Sequence, residues 1–128
     1  MTSPEIPSVP VHELPGRFDR TGSTADGDTT EAAATAILLD VREDDEWRLG
    51  HAPGATHIPM ADVPARIDEL DYDAALYVVC RQGGRSIEVA RYLARVGFDP
   101  INVSGGMVAW QQAGRPVVAD GGHQAKIY

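Results

Sequence analysis

Leu76-Tyr77-Val78-Val79-Cys80-Arg81-Gln82-Gly83-Gly84-Arg85-Ser86 is the stretch on which the fold turns. Its first four residues form an apolar run. After it, Ile87, Ala90, Leu93, Ala94 and Gly97 recur at three- and four-residue steps, with Glu88, Arg91 and Arg95 on the other side. The pattern predicts a buried strand over Leu76–Val79, a tight loop, and a helix over Ser86–Val96. A strand–loop–helix junction aims backbone N–H groups and the positive end of the helix dipole at the centre of the loop. The chain's only cysteine, Cys80, stands at the mouth of that cradle, flanked by Arg81 and Arg85. Gly83 and Gly84 are free to take the positive φ that a backbone curled around an anion needs. A thiolate is stabilised there for the same reasons as a phosphate. The plainer reading, a buried structural cysteine closing a strand, is outweighed by the two glycines and two arginines that follow it.

Outward from the loop, the same alternation of strand and helix continues. Ile37-Leu38-Leu39-Asp40-Val41 reads as a strand buried on both faces. Arg42–Leu49 reads as a short helix with acid at its start, ended by Gly50 and the turn His51-Ala52-Pro53-Gly54-Ala55. Thr56–Pro59 is a brief extended piece. Ala61–Leu70 reads as a helix that tolerates Pro64 in its first turn. Past the central helix, Gly97 caps, Pro100 breaks, and Ile101-Asn102-Val103 forms a strand. Ser104-Gly105-Gly106 turns into a last helix, Met107–Ala113. At the front, the proline-rich residues 1–18 suggest an edge strand near Ile6–Val9 and one helical turn or a loop around Val11–Leu14. Residues 19–35 contain no apolar side chain larger than alanine and read as a flexible loop. Residues 119–128 form a C-terminal tail to which no element is assigned. Short buried strands alternating with helices mean an α/β fold, a parallel sheet covered on both faces. Active sites in such sheets lie at the carboxyl ends of strands.

The 128 residues are enough for one domain, 1–128, with a single core. Eleven Lys and Arg against 19 Asp and Glu give a formal charge of −8, which argues against nucleic acid or an anionic membrane as partner. Positive charge being scarce, the Arg81/Arg85 pair stands out. One cysteine excludes an internal disulfide and any multi-cysteine zinc site. A lone thiol suits a reducing, cytoplasmic compartment. The N-terminus lacks the basic start and apolar core of a signal peptide. No histidine stands at helical metal-pair spacing from His51, and no metal is expected.

Four pieces in order resemble the single-domain rhodaneses, a sulfurtransferase family. They are Leu39-Asp40-Val41-Arg42, then Glu46-Trp47 with Gly50-His51-Ala52-Pro53-Gly54-Ala55, then the loop Cys80–Arg85, and last Gly105-Gly106-Met107-Val108-Ala109-Trp110 with Gly114-Arg115-Pro116-Val117. The resemblance, running from about Ile37 to Val118, implies a five-stranded parallel sheet between helices and a cysteine that carries sulfane sulfur as a persulfide. Under it, Cys80 is the nucleophile, and Arg81, Gln82, Gly83, Gly84, Arg85 and Ser86 form the substrate-binding loop. Arg85 either binds a donor anion or holds the loop's shape; the plainer reading, a salt bridge at a helix start, is disfavoured because a cation there opposes the dipole. Asp40, Arg42, Glu46 and His51 are structural, Arg42 pairing with Glu46 or Asp40 and His51 being a hydrogen-bonded turn residue. Trp47 and Trp110 are packing anchors, and Gly105-Gly106 is a packing turn. The implied donors are thiosulfate or persulfides. The acceptors are cyanide, a low-molecular-weight thiol or a protein, and no cofactor is required. Three other readings stay open: a sulfur carrier between proteins, a cysteine phosphatase or arsenate reductase, and a silent interaction domain. One count bears on the second of these. Four residues separate Cys80 from Arg85, whereas the cysteine phosphatases of similar fold place five there, and loop circumference is set by residue number.

Overall fold

In the computed structural model, which describes residues 5–18, 36–122 and 124–127, five parallel strands form one sheet. They are β1 (Ser8–Pro10), β2 (Ala36–Asp40), β3 (Thr56–His57), β4 (Ala75–Val79) and β5 (Pro100–Ser104), in the order β1-β5-β4-β2-β3. The apolar runs lie at the centre, where β2 pairs with β4 over the full five residues, Ala36 opposite Ala75 through Asp40 opposite Val79. The short, proline-bearing β1 lies at one edge against β5, as proline's missing donor requires. Two-residue β3 closes the other edge.

Alternation along the central strands sends successive side chains to opposite faces. Ile37, Leu39, Leu76, Val78 and Cys80 pack on one side, under Val63 of helix α2 (Val63–Arg66) and Val89, Ala90 and Leu93 of helix α3 (Gly84–Arg95). Leu38, Val79 and Val103 pack on the other, with Met107 and Trp110 of helix α4 (Gly106–Gln112) and with Val11, Leu14 and Phe18. Helix α1 (Asp44–Leu49) buries no residue fully and leans Trp47 on this second cluster. Both faces are therefore covered, as the double-sided burial of β2 requires. Among the described residues no helix is long and apolar enough to cross a membrane.

Several boundaries differ from the reading of the sequence. The expected helix over Ala61–Leu70 is three pieces: a 3₁₀ turn at Met60–Asp62, the single α turn of α2, and a second 3₁₀ turn at Ile67–Glu69. Pro64 withholds a backbone donor near its start, and Asp68 and Glu69 oppose the dipole at its end. Helix α3 starts at Gly84, two residues early, and buries Ser86, Val89, Ala90 and Leu93, leaving Ile87 on the flank. Strand β5 begins at Pro100, a position where proline is tolerated. The expected loop over residues 19–35 lies outside the described residues. The tail packs: Val118 and His51 exchange backbone hydrogen bonds, both at 2.8 Å, and Lys126 N–H donates to the Leu49 carbonyl at 2.9 Å. Gly50 gives it room, since a Cβ there would collide with the Lys126 carbonyl. The first segment is held by Arg115, which lies 4.3 Å over the Trp110 ring and donates to the carbonyls of Val11 and Pro15 at 2.9 and 2.6 Å.

Candidate active site

Cys80 immediately follows β4, at the carboxyl edge of the sheet. Its side chain belongs to the apolar cluster beneath α3 and is 1% exposed. The chain then turns over it. Gly83, with φ +129°, is the residue before α3, and its N–H donates to Cys80 Sγ at 3.0 Å. A side chain is strained at that φ, so glycine is required. Gly84, the first helical residue, has ordinary backbone geometry, so only one of the two glycines uses the freedom expected of both. Open space lies beside both positions. Helix α3 is 12 residues long, and its first N–H groups have no partner within the helix.

The carbonyl side of the loop is held by a second helix. Met107 N–H donates to the Cys80 carbonyl at 2.8 Å and Val108 N–H to the Arg81 carbonyl at 3.1 Å. These are orphan donors of the first turn of α4, and the loop satisfies them. Gly106, at φ +60°, allows the approach, because a Cβ there would strike both carbonyls. Gly105-Gly106 is thus a packing turn whose partner is the cysteine loop itself.

Arg85 lies in the first turn of α3, an unfavourable place for a cation against the helix dipole. Its compensation is Glu46 of α1: Nη1 donates to Oε1 at 2.7 Å and Nη2 to Oε2 at 3.0 Å. Glu46 Oε1 also accepts the Glu43 N–H at 2.9 Å. The bond from Arg85 holds the Glu46 carboxyl below its ordinary range, against the opposing effect of partial burial, and Glu46 raises Arg85. A depressed carboxylate contributes stability above its unfolded pKa, here 4.5, and the contribution is lost as pH falls through the folded value. Glu46→Gln should therefore lower stability by about 1 kcal/mol near neutrality. The gap to the parent should close on acidification, because protonated Glu46 is a near-isostere of the variant. Urea midpoints measured across the acid range check this, and a gap that does not narrow as pH falls would contradict it.

The other expected structural residues gather around α1. Arg42 and Asp40, 1% and 0% exposed, form a forked pair with Nε and Nη2 contacts of 2.9 and 2.7 Å. Arg42 Nη2 also donates to the Gly50 carbonyl at 2.8 Å. Glu46 is not its ion-pair partner, the carboxylate being given to Arg85. His51 Nδ1 lies 2.7 Å from the Trp47 carbonyl, and its ring stacks on Trp47 at 3.6 Å. His57 stacks on Trp47 as well, at 4.7 Å, and its Nε2 lies 2.8 Å from the Arg42 carbonyl. Of the remaining loop residues, Ser86 is buried, Arg81 half-buried and Gln82 exposed.

Two residues near the site, Asn102 and Ser8, are not among those the sequence reading singles out. Ser86 Oγ, 3.4 Å from Cys80 Sγ, donates to Asn102 Oδ1 of β5 at 2.6 Å, and Asn102 Nδ2 donates to Ser8 Oγ of β1 at 3.2 Å. A buried polar residue inside an otherwise apolar strand was the one available clue to Asn102.

Comparison with known proteins agrees with this architecture. The model of the rhodanese-like domain matches residues 25–113. Over 86 residues the chain is 44% identical to a Bacillus subtilis (strain 168) protein named "Putative sulfurtransferase YtwF", the match covering 67% of this chain and 84% of that one. It is 36% identical over 87 residues to a sulfurtransferase of Allochromatium vinosum, covering 67% and 81%. Among solved structures, a rhodanese-like domain protein from Staphylococcus aureus superposes with a TM-score of 0.66 at 30% identity, over 94% of this chain and 99% of the other. This chain, with its parallel sheet and a cysteine loop gripped between two helix N-termini, belongs to the rhodanese-like domain family.

Proposed function

We propose that the protein is a sulfurtransferase that carries sulfane sulfur on Cys80. The observation that carries this reading is the environment of Sγ: an N–H from Gly83 at 3.0 Å, at the start of a 12-residue helix, with open space beside Gly83 and Gly84. The Cys80 thiolate attacks the outer sulfur of thiosulfate. The sulfur–sulfur bond of the donor breaks, a new one forms to Sγ, and sulfite leaves with the bonding pair. The negative charge then rests on the terminal persulfide sulfur, above the helix N-terminus, where dipole and orphan amides favour it. An acceptor, cyanide or a thiolate, attacks that outer sulfur and returns Cys80 to thiolate. No external oxidant or reductant enters either step. The names carried by the relatives support sulfur transfer in general; thiosulfate as donor is our choice on the chemistry of the loop.

Phosphate chemistry fits less well, for two independent reasons. The loop from Cys80 to Arg85 has only four intervening residues, too short a circumference for a tetrahedral phosphoryl group. Arg85, the fork such a group would need, is bidentate to Glu46. Treated with thiosulfate, the purified protein should gain the mass of one sulfur atom, which cyanide should remove as thiocyanate, and p-nitrophenyl phosphate should remain uncleaved. Hydrolysis of the phosphate ester through Cys80, with no sulfur adduct, would overturn the assignment. Rapid turnover with thiosulfate and cyanide alone favours an enzyme on small molecules; a stable adduct without turnover favours a carrier between proteins.

A further inference from the structure

Behind Cys80 runs a file of hydrogen bonds that the transfer steps do not use: Ser8, Asn102, Ser86, then sulfur. Ser86 and Asn102 are buried, while Ser8 is exposed on the edge strand, 94 positions from Asn102 in sequence. Each link has a direction. The Asn102 amide donates to Ser8 Oγ, and the Ser86 hydroxyl donates to Asn102 Oδ1. Ser86 therefore offers Cys80 a lone pair, and the thiol proton points at it. The Gly83 carbonyl, 3.2 Å from Ser86 Oγ, is a further acceptor for the same hydroxyl proton.

That polarity suits a thiol and no later state of the reaction. Once Cys80 has lost its proton to solvent, or carries a second sulfur, Sγ has nothing to donate, and on the Ser86 side it needs a donor to add to the Gly83 N–H. Ser86 holds a single proton, and swinging it to sulfur strips Asn102 Oδ1 of its donor in a buried site, a costly state. Turning the amide of Asn102 over removes that cost. Nδ2 then donates to Ser86 Oγ, Oδ1 accepts from the Ser8 hydroxyl, and Ser86 donates to sulfur. Both neighbours of the amide are hydroxyls, which donate or accept with equal facility, so the reversed file keeps every bond.

We propose that Asn102 and Ser8 are positioning residues for the sulfur chemistry of Cys80, the Asn102 amide turning over so that Ser86 meets thiol and deprotonated sulfur each with the right polarity. The proposal rests on the sulfur-transfer reading above, and its test separates the two. Alkylation of Cys80 by iodoacetamide reads the thiolate without any sulfur donor; thiosulfate loading of the parent protein reads sulfur transfer. Asn102→Asp places an acceptor-only carboxylate that keeps the Ser86 proton, so alkylation at neutral pH should slow about tenfold, the loss of one hydrogen bond to a charged group. Ser8→Ala removes only an exposed hydroxyl at the far end of the file, and should slow alkylation about threefold. Ser8→Thr should restore the parent rate, a rescue that strand packing alone would not produce. Parent rates in both Asn102→Asp and Ser8→Ala, or a Ser8→Thr as slow as Ser8→Ala, would overturn the proposal. Should Asn102→Asp fail to fold, the two Ser8 variants decide it alone. Absence of loading in the parent would remove sulfur transfer and leave the alkylation result to stand by itself.

Discussion

Cys80→Ser should abolish both the sulfur adduct and thiosulfate-to-cyanide transfer, with the fold intact. The chain contains a single thiol, so no neighbour can take over as carrier. The change is nearly isosteric, and a hydroxyl keeps both local bonds: it accepts from Gly83 N–H and donates towards Ser86 Oγ. What it loses is the nucleophile, because a serine hydroxyl does not ionise near neutral pH, and an oxygen cannot hold a transferable sulfane sulfur. Removing a covalent nucleophile costs on the order of 10⁴-fold or more in rate. Stability should move by less than about 1 kcal/mol, in keeping with a volume-conserving exchange. Intact mass after thiosulfate treatment, thiocyanate formation and a urea titration give the three readings. A sulfur adduct surviving in the variant would end the persulfide mechanism. A collapse of the fold would return Cys80 to the plain role of a core residue.

The loop was legible because it is contiguous. Val78-Val79-Cys80, the glycines and the periodic helix after them lie within one short window, and their backbone geometry follows from local preferences. The two central strands were legible for a similar reason, since burial on both faces leaves an unbroken apolar run. What brings other residues to the loop is topology, which no window of sequence contains. Glu46 meets Arg85 across 39 positions, and β1 lies beside β5 and brings Ser8 to Asn102. Arg42 illustrates the limit: its partner could be narrowed to Asp40 or Glu46 from proximity in the chain, and only the fold decides for Asp40. The helical segments show the opposite failure, where local pattern was trusted too far. Apolar spacing at Val63, Ile67 and Leu70 satisfies a helix and a pair of 3₁₀ turns alike, and the proline and terminal acids settle it. Gly83 and Gly84 looked interchangeable in sequence, yet only the first adopts positive φ.

The glycines also give a sharper test of how the loop is held. Gly106→Ala should disable the site although residue 106 is not in the cysteine loop. At φ +60° an L-residue is strained by roughly 1–2 kcal/mol. The new Cβ would also overlap the carbonyls of Cys80 and Arg81. Both obstacles are backbone, so no change of rotamer relieves them. Either α4 backs away or the Cys80–Arg81 peptide rotates, and both routes break the bonds from Met107 and Val108 N–H. Adding about 1 kcal/mol for each of the two bonds lost brings the expected destabilisation to about 3–4 kcal/mol. Displacing the loop by even a fraction of an ångström also misaims the sulfur, and misplacement on the order of 1 Å costs about 10²-fold in rate. Gly84→Ala is the matching control for stability. Its backbone is ordinary, nothing crowds the added methyl, and it opens a helix, so the exchange should stabilise by about 0.5–1 kcal/mol. Urea midpoints for the two variants should thus move in opposite directions. A Gly106→Ala protein as stable and as active as the parent would mean that the N-terminus of α4 does not hold the cysteine loop.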